Sequence, residues 1–251
     1  IAGGEPYTER VFAAAPELRV VARLGVGWDQ VDVAAATRHH VAVAMAFGTN
    51  HDAVADHAFA LMAAAALRIA AYDRRVRAGR WGTQLHGGLY GATVGLVGFG
   101  RIGRAVARRC KGFGMEVLAH DPAMDGDTVA HLGCRLVALD DLLEQSDFVS
   151  LPAPLTPATR RLIDRQRLAL MKPTAVLVNT SRGGLIDERA LGDAPRSGRP
   201  GGAGLDVFAT EPLRDSPLTE LENVVLTPHV AGTSKAAVEA MAARCVESIL
   251  T

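Results

Sequence analysis

No stretch of this 251-residue chain is apolar for long enough to cross a membrane. The longest apolar run, Ala58 to Leu67, falls well short of the roughly 20 residues that a spanning helix needs, and it is alanine-rich, as buried helices are. Net charge is lacking too. The 27 basic residues offset the 27 acidic ones, so the balance argues against nucleic acid or an acidic membrane surface as a partner and favours a small molecule. Cysteine is sparse: Cys110, Cys134 and Cys245 stand far apart, without a C-x-x-C pair and without histidine clustered around them. That pattern offers no disulfide framework and no metal site, and it suits a reducing cytosol. The sequence also has no internal repeat and no low-complexity tract. It opens at Ile1 in mid-pattern, so the lack of a leader carries little weight.

What is present is an alternation of short β-branched runs with alanine-rich stretches, the mark of an α/β protein with a parallel sheet covered by helices on both faces. Strands are expected at Val20 to Leu24, Val41 to Val43, Val94 to Val97, Glu116 to Ala119, Phe148 to Leu151, Ala175 to Asn179, Gly204 to Val207 and Val224 to Leu226. One long helix is expected from Asp52 to about Arg77, capped by Asn50 or Asp52. Two arginine clusters, Arg74, Arg75, Arg77 and Arg80, and Arg160, Arg161, Arg165 and Arg167, are expected to be solvated helix faces in a chain without net charge.

Gly98-Phe99-Gly100-Arg101-Ile102-Gly103 fits G-x-G-x-x-G. The pattern alone is common, but here it follows a strand directly and opens an amphipathic helix, and Asp121 stands at the end of the next strand. Gly98 permits the tight turn, Gly100 lets the backbone approach a pyrophosphate, and Gly103 lets the helix pack on the strand. The N-terminus of that helix offers free N–H groups and a positive dipole end to phosphates. Asp121 would accept hydrogen bonds from the adenosine ribose and repel a 2′-phosphate, so the expected cofactor is NAD rather than NADP. These features predict a Rossmann-type doubly wound nucleotide-binding domain in the centre of the chain, flanked on both sides by parts of a second domain.

Three further polar residues follow strand-like runs, where a doubly wound sheet gathers its carboxyl ends: Arg182, Glu211 and His229. Hydride transfer from a 2-hydroxy acid needs these three types. Arginine grips a carboxylate in two-point fashion; histidine takes or returns the hydroxyl proton near neutral pH; a carboxylate beside the imidazole favours its charged form and fixes the ring.

With these segments the chain resembles the D-isomer-specific 2-hydroxyacid dehydrogenases, which include phosphoglycerate dehydrogenase, D-lactate dehydrogenase and glyoxylate or hydroxypyruvate reductases. Leu24 to Asp32 looks like the family's substrate-domain loop, and Gly48-Thr49-Asn50 with Val54-Ala55-Asp56-His57 looks like the start of its hinge helix. Asn179 to Leu185, Leu205 to Pro212 and Thr227 to Gly232 match its three catalytic segments. The resemblance implies Arg182 as substrate binder, His229 as acid/base and Glu211 as its partner, with Val26, Gly27 and Asn50 on the substrate. It adds Arg101, Ile102, Ala153, Pro154, Thr180, Ser181, Asp206, His229 and Gly232 as cofactor contacts, Asp206 near the nicotinamide amide.

It further implies a partial flavodoxin-like substrate domain at 1–50, an NAD-binding domain at 51–232 and a return to the substrate domain at 233–251. A cytoplasmic homodimer with a small 2-hydroxy or 2-keto acid substrate is expected, without nucleic acid, membrane or metal. The chain departs from the family at Phe47, where proline is usual, and at Pro152, where histidine is usual. Gly192 and Pro195 weaken what is usually a regular helix after Arg182. The family's first substrate-domain strands and the end of its last helix are missing here, and are expected to be trimmed or disordered. The rival reading is a non-catalytic NAD-sensing scaffold or corepressor on the same fold. Formate dehydrogenase is disfavoured, because its chemistry resembles a site with an amide beside the histidine.

Overall fold

The computed structural model describes residues 1–193 and 198–251, and it divides into two compact units. One comprises Ile1–Ala53 with Gly232–Thr251, the other Val54–Ala231. The first holds a short parallel sheet of β1 (Val20–Arg23) and β2 (Ala42–Met45), with helices α1 (Glu9–Ala14), α2 (Val33–Arg38) and the C-terminal α10 (Lys235–Leu250). Ala22 and Ala46 pack against Met241 and Cys245 of α10, while Phe12, Val21, Val31 and Ala35 form the other part of its core.

The second unit is built on seven parallel strands: β3 (Thr93–Val97), β4 (Glu116–His120), β5 (Arg135–Leu136), β6 (Phe148–Ser150), β7 (Val176–Asn179), β8 (Gly202–Leu205) and β9 (Val224–Leu226). Their order is β5-β4-β3-β6-β7-β8-β9. Such strands, buried on both faces, read as continuous apolar runs rather than alternating ones, as Val94-Gly95-Leu96-Val97 does. Residues of α3 (His51–Ala66), α5 (Arg101–Gly112) and α6 (Gly126–His131) share one core, and those of α7 (Leu139–Gln145), α8 (Arg165–Leu170) and α9 (Glu188–Gly192) share another. This is a Rossmann-type doubly wound sheet. Its strand order reverses between β3 and β6, the switch point where such sheets bind ligands.

Two expectations need correction, and one strand was not foreseen. The helix expected from Asp52 to Arg77 is two: α3 ends at Ala66, and α4 (Ile69–Arg77) leaves at a 61° bend, with Arg68 in the left-handed region at φ +54°. The break comes where the apolar face ends. Six residues of α3 are buried, whereas in α4 only Ala71 is. No single helix among the described residues is long and apolar enough to cross a membrane. The strand expected at Gly204 to Val207 spans Gly202–Leu205 instead. Its glycines are there for contact, since a Cβ on Gly204 would lie 2.8 Å from Leu61 Cβ of α3. The two-residue β5 at the sheet edge was not anticipated.

The arginines at 74, 77 and 80 are exposed, and Arg77 pairs with Asp73. Of the segment in which Gly192 and Pro195 were expected to weaken a helix, α9 ends at Gly192, and Ala194 and Pro195 lie outside the described residues.

Candidate active site

In the larger unit, residues singled out in the sequence follow the carboxyl ends of strands: Gly98 after β3, Asp121 after β4, Ala153 and Pro154 after β6, Thr180 to Arg182 after β7, Asp206 after β8 and His229 after β9. Parallel pairing puts all these ends on one edge of the sheet, which is why residues so distant in sequence can serve one site.

At the switch point the loops after β3 and β6 touch. Gly98 has φ +106°, and a Cβ there would lie 2.9 Å from the Ala153 nitrogen and from Pro152 backbone atoms. Only glycine serves both demands. A Cβ on Gly103 would lie 2.3 Å from the Gly98 carbonyl oxygen, which fixes the close packing of α5 on the turn. Gly100 differs, for a Cβ there would meet nothing within 4 Å. It stands at the N-terminus of α5, which no side chain caps, so the room and the N–H groups that a pyrophosphate needs are both present. The Asp121 carboxylate accepts from the Phe99 N–H at 2.8 Å and the Ala123 N–H at 2.9 Å, which draws it to the glycine turn. The residues present therefore fit a dinucleotide.

At the other end of the edge, His229 Nδ1 lies 2.7 Å from Glu211 Oε2, and Glu211 Oε1 accepts from the Phe208 N–H at 3.0 Å. The imidazole is about half exposed, so the pairing matters for ring orientation more than for stability. A cavity of about 570 Å³ carries both residues on its wall, beside the apolar Phe208, Pro212 and Leu213. His229 has φ +55°, an uncommon value for a residue with a side chain. Asp206 holds the turn in that shape: its carbonyl accepts from the His229 N–H, and its carboxylate accepts from the Val230 and Ala231 N–H groups and the Thr227 hydroxyl. Burial pushes the Asp206 carboxyl up, but hydrogen bonds from His57, Thr227, Val230 and Ala231 together outweigh it and hold the group below its ordinary value. Asp206 was expected at the nicotinamide. It has no exposed surface, and its carboxylate faces the His229 turn.

Arg182 is placed by its own loop. Fully buried Asn179 donates to the Arg182 carbonyl and accepts from the Ser181 N–H, and the guanidinium donates to the Ser181 carbonyl. A Cβ on Gly183 would fall 1.9 Å from the Phe208 carbonyl carbon. The Arg182 loop thus lies directly on the loop that carries Glu211, and this contact joins the two segments.

Glu188 was not anticipated, and nothing in its spacing marks it. It accepts from the Ala209 N–H in the same loop. Burial pushes its carboxyl above the ordinary value, the Ala209 N–H works against that, and the nearby Glu211 charge adds to the push. Because its folded-state value is raised, Glu188 favours the fold while protonated at acid pH, and that contribution is lost as pH rises through the folded value. Glu188→Gln, which keeps the acceptor, is therefore expected to raise Tm at pH 7–8, with the gain shrinking toward pH 4. Calorimetry at the two pH values checks it.

In the smaller unit the expected substrate loop is held by Arg23, which sequence reasoning passed over. Its Nε donates to the Gly27 carbonyl, and its buried Nη1 has no hydrogen-bond partner among the described residues. A charged residue closing the apolar strand Val20-Val21-Ala22-Arg23 was the available signal. Asn50 is buried and lies against Gly232, where a Cβ would come 3.1 Å from Asn50 Nδ2.

Residues 59–231 match the family described as D-isomer specific 2-hydroxyacid dehydrogenase, NAD binding domain. The chain belongs to that family. It is 48% identical over 241 residues to a D-3-phosphoglycerate dehydrogenase of Mycobacterium leprae, covering 95% of this chain and 46% of the relative. With a glyoxylate reductase of Korarchaeum cryptofilum it shares 47% over 253 residues, covering 98% of this chain and 76% of that one. A crystal structure of a Thermus thermophilus protein superposes with a TM-score of 0.91 at 40% identity, over 98% of this chain and 79% of the other. The chain thus spans less than half the length of the first of these relatives. The NAD-binding assignment covers the glycine turn, Asp121 and the edge from β3 to β9.

Proposed function

We propose that the protein transfers hydride between NAD and a small D-2-hydroxy acid or 2-keto acid. The observation that carries the reading is the His229–Glu211 pair at 2.7 Å, beside a cavity on the edge of a nucleotide-binding sheet. NAD, when bound, accepts or returns the hydride. The proton and charge steps fall to the chain itself. His229 turns Nδ1 to Glu211, which leaves Nε2 to take the hydroxyl proton in oxidation and return it in reduction. Glu211 orients the ring and stabilises the charge it gains. Arg182 binds the substrate carboxylate and polarises the adjacent oxygen.

Gly98, Gly100, Arg101, Ile102, Gly103 and Asp121 would hold the dinucleotide, with Ala153, Pro154, Thr180, Ser181, Asp206, His229 and Gly232 as further contacts. On this reading residues 51–232 form the NAD-binding domain, and 1–50 with 233–251 belong to a partial flavodoxin-like substrate domain. Relatives named for D-3-phosphoglycerate and glyoxylate support a small acid as substrate. The three cysteines are free thiols, which supports a reducing compartment such as the cytoplasm. Trp81, Leu85 and Tyr90 are almost fully exposed on one segment, which supports a homodimer in which a second copy covers them.

A screen of 2-keto acids with NADH, followed at the nicotinamide absorbance, tests the reading. No turnover with any of them, alongside tight NAD binding, would favour the scaffold instead. NAD is preferred over NADP because Asp121 opposes a 2′-phosphate. Asp121→Ala is expected to lose much of that preference in direct titrations of the two oxidised cofactors. Comparable affinities in the unaltered protein would count against the role.

A further inference from the structure

The steps above leave His57 of α3 without a task. Its side chain is three-quarters buried, with Nε2 placed 2.9 Å from Thr227 Oγ1 and 3.4 Å from Asp206 Oδ1. The Thr227 hydroxyl is itself 2.5 Å from Asp206 Oδ1. An ionised carboxylate can only accept, so the hydroxyl proton goes to Asp206, and the hydroxyl oxygen is left to accept from His57. The direction of the chain is thereby fixed, from His57 Nε2–H to Thr227, with Asp206 Oδ1 as its longer acceptor, and from Thr227 to Asp206. Asp206 is the residue on which the whole turn from Thr227 to Ala231 hangs, through the N–H groups of His229, Val230 and Ala231.

We propose that His57 is a positioning residue for His229: by donating to Thr227 it fixes the hydroxyl on Asp206, and so locks the turn that holds His229 at positive φ. The proposal rests on the reading of His229 as the acid/base. Without the donor the Thr227 hydroxyl is free to rotate, and a buried carboxylate oxygen can lose a partner. Such losses are costly away from water. The turn then loosens, and the geometry of proton transfer with it.

The test compares His57→Leu, His57→Gln and Thr227→Val in the whole protein, with amide hydrogen exchange at Val230 and Ala231 and steady-state kinetics as the two readouts. His57→Leu is expected to speed exchange at those two amides several-fold while exchange in β7 stays as it was. It should also lower kcat by roughly 10²-fold, the order of effect when a reacting group is displaced by about 1 Å. His57→Gln, which offers a side-chain N–H, should recover most of both. Thr227→Val should act like His57→Leu, and the double variant should be no worse than either single one, because all three break one chain of bonds.

Unchanged exchange at Val230 and Ala231, a glutamine variant as impaired as the leucine one, or faster exchange with unchanged kcat would each overturn the proposal. Should His57→Leu open the whole sheet, Thr227→Val decides in its place, since it leaves α3 untouched. The expected exchange pattern in a protein that turns over no keto acid would sink the catalytic reading, and the link to catalysis with it, while leaving the Thr227–Asp206 lock standing.

Discussion

Turnover is expected to fall by about 10²–10⁴-fold when His229 is replaced by alanine, the range for losing a general acid/base, while NAD affinity stays close to that of the unaltered protein. The reason is the division of labour along the sheet edge. His229 and Glu211 follow β9 and β8, whereas the glycine turn and Asp121 follow β3 and β4, so removing the imidazole leaves the dinucleotide cradle intact. On the proposed reading the neutral ring serves oxidation and the protonated ring reduction, so the two pH–rate profiles should run in opposite directions. A reduction rate independent of pH would remove His229 from the mechanism. Glu211→Gln should slow the reaction as well, since the neutral amide cannot stabilise the charge that the ring carries before it gives up its proton.

Arg182→Lys is expected to lose most turnover and keep NAD binding. Lysine preserves the charge, but a compact ammonium cannot reproduce the planar two-point grip on a carboxylate. The position leaves little room for compensation, because the loop is pinned on both sides, by Asn179 within it and by the contact of Gly183 with Phe208 and Ala209. Measuring kcat/KM for the keto acid and Kd for NAD on the same preparation separates the effects. An unchanged kcat/KM would overturn the assignment, and a loss of NAD binding would mean that the loop itself had collapsed.

The glycine turn was legible in the sequence because its requirements are local. A glycine turn between a strand and a helix is written within six residues, and Gly98 and Gly103 answer contacts within that unit or with the loop beside it. The α/β class was legible for a similar reason, since buried parallel strands are apolar runs whatever surrounds them. Where the reading went astray, a distant element had intervened. The strand expected at Gly204 to Val207 starts two residues earlier, at Gly202, and ends at Leu205, with Leu61 of α3 against Gly204. The helix from Asp52 to Arg77 looks continuous because neither glycine nor proline interrupts it, and its break follows the end of the apolar face.

By itself, then, the sequence determined the class of fold, the glycine turn between strand and helix, the acidic residue after the second strand of that unit, and the residue types suited to moving a proton beside a carboxylate. It could also name Arg182, Glu211 and His229, because each chemical role admits few side chains. Only the tertiary structure decided that Glu211 meets His229, that Asp206 spends its carboxylate on the His229 turn, and that His57, Thr227 and Glu188 belong to the same network. Those partnerships span 18 to 170 positions of chain. They are set by which strand ends a parallel sheet brings side by side, and neither spacing nor composition carries that information.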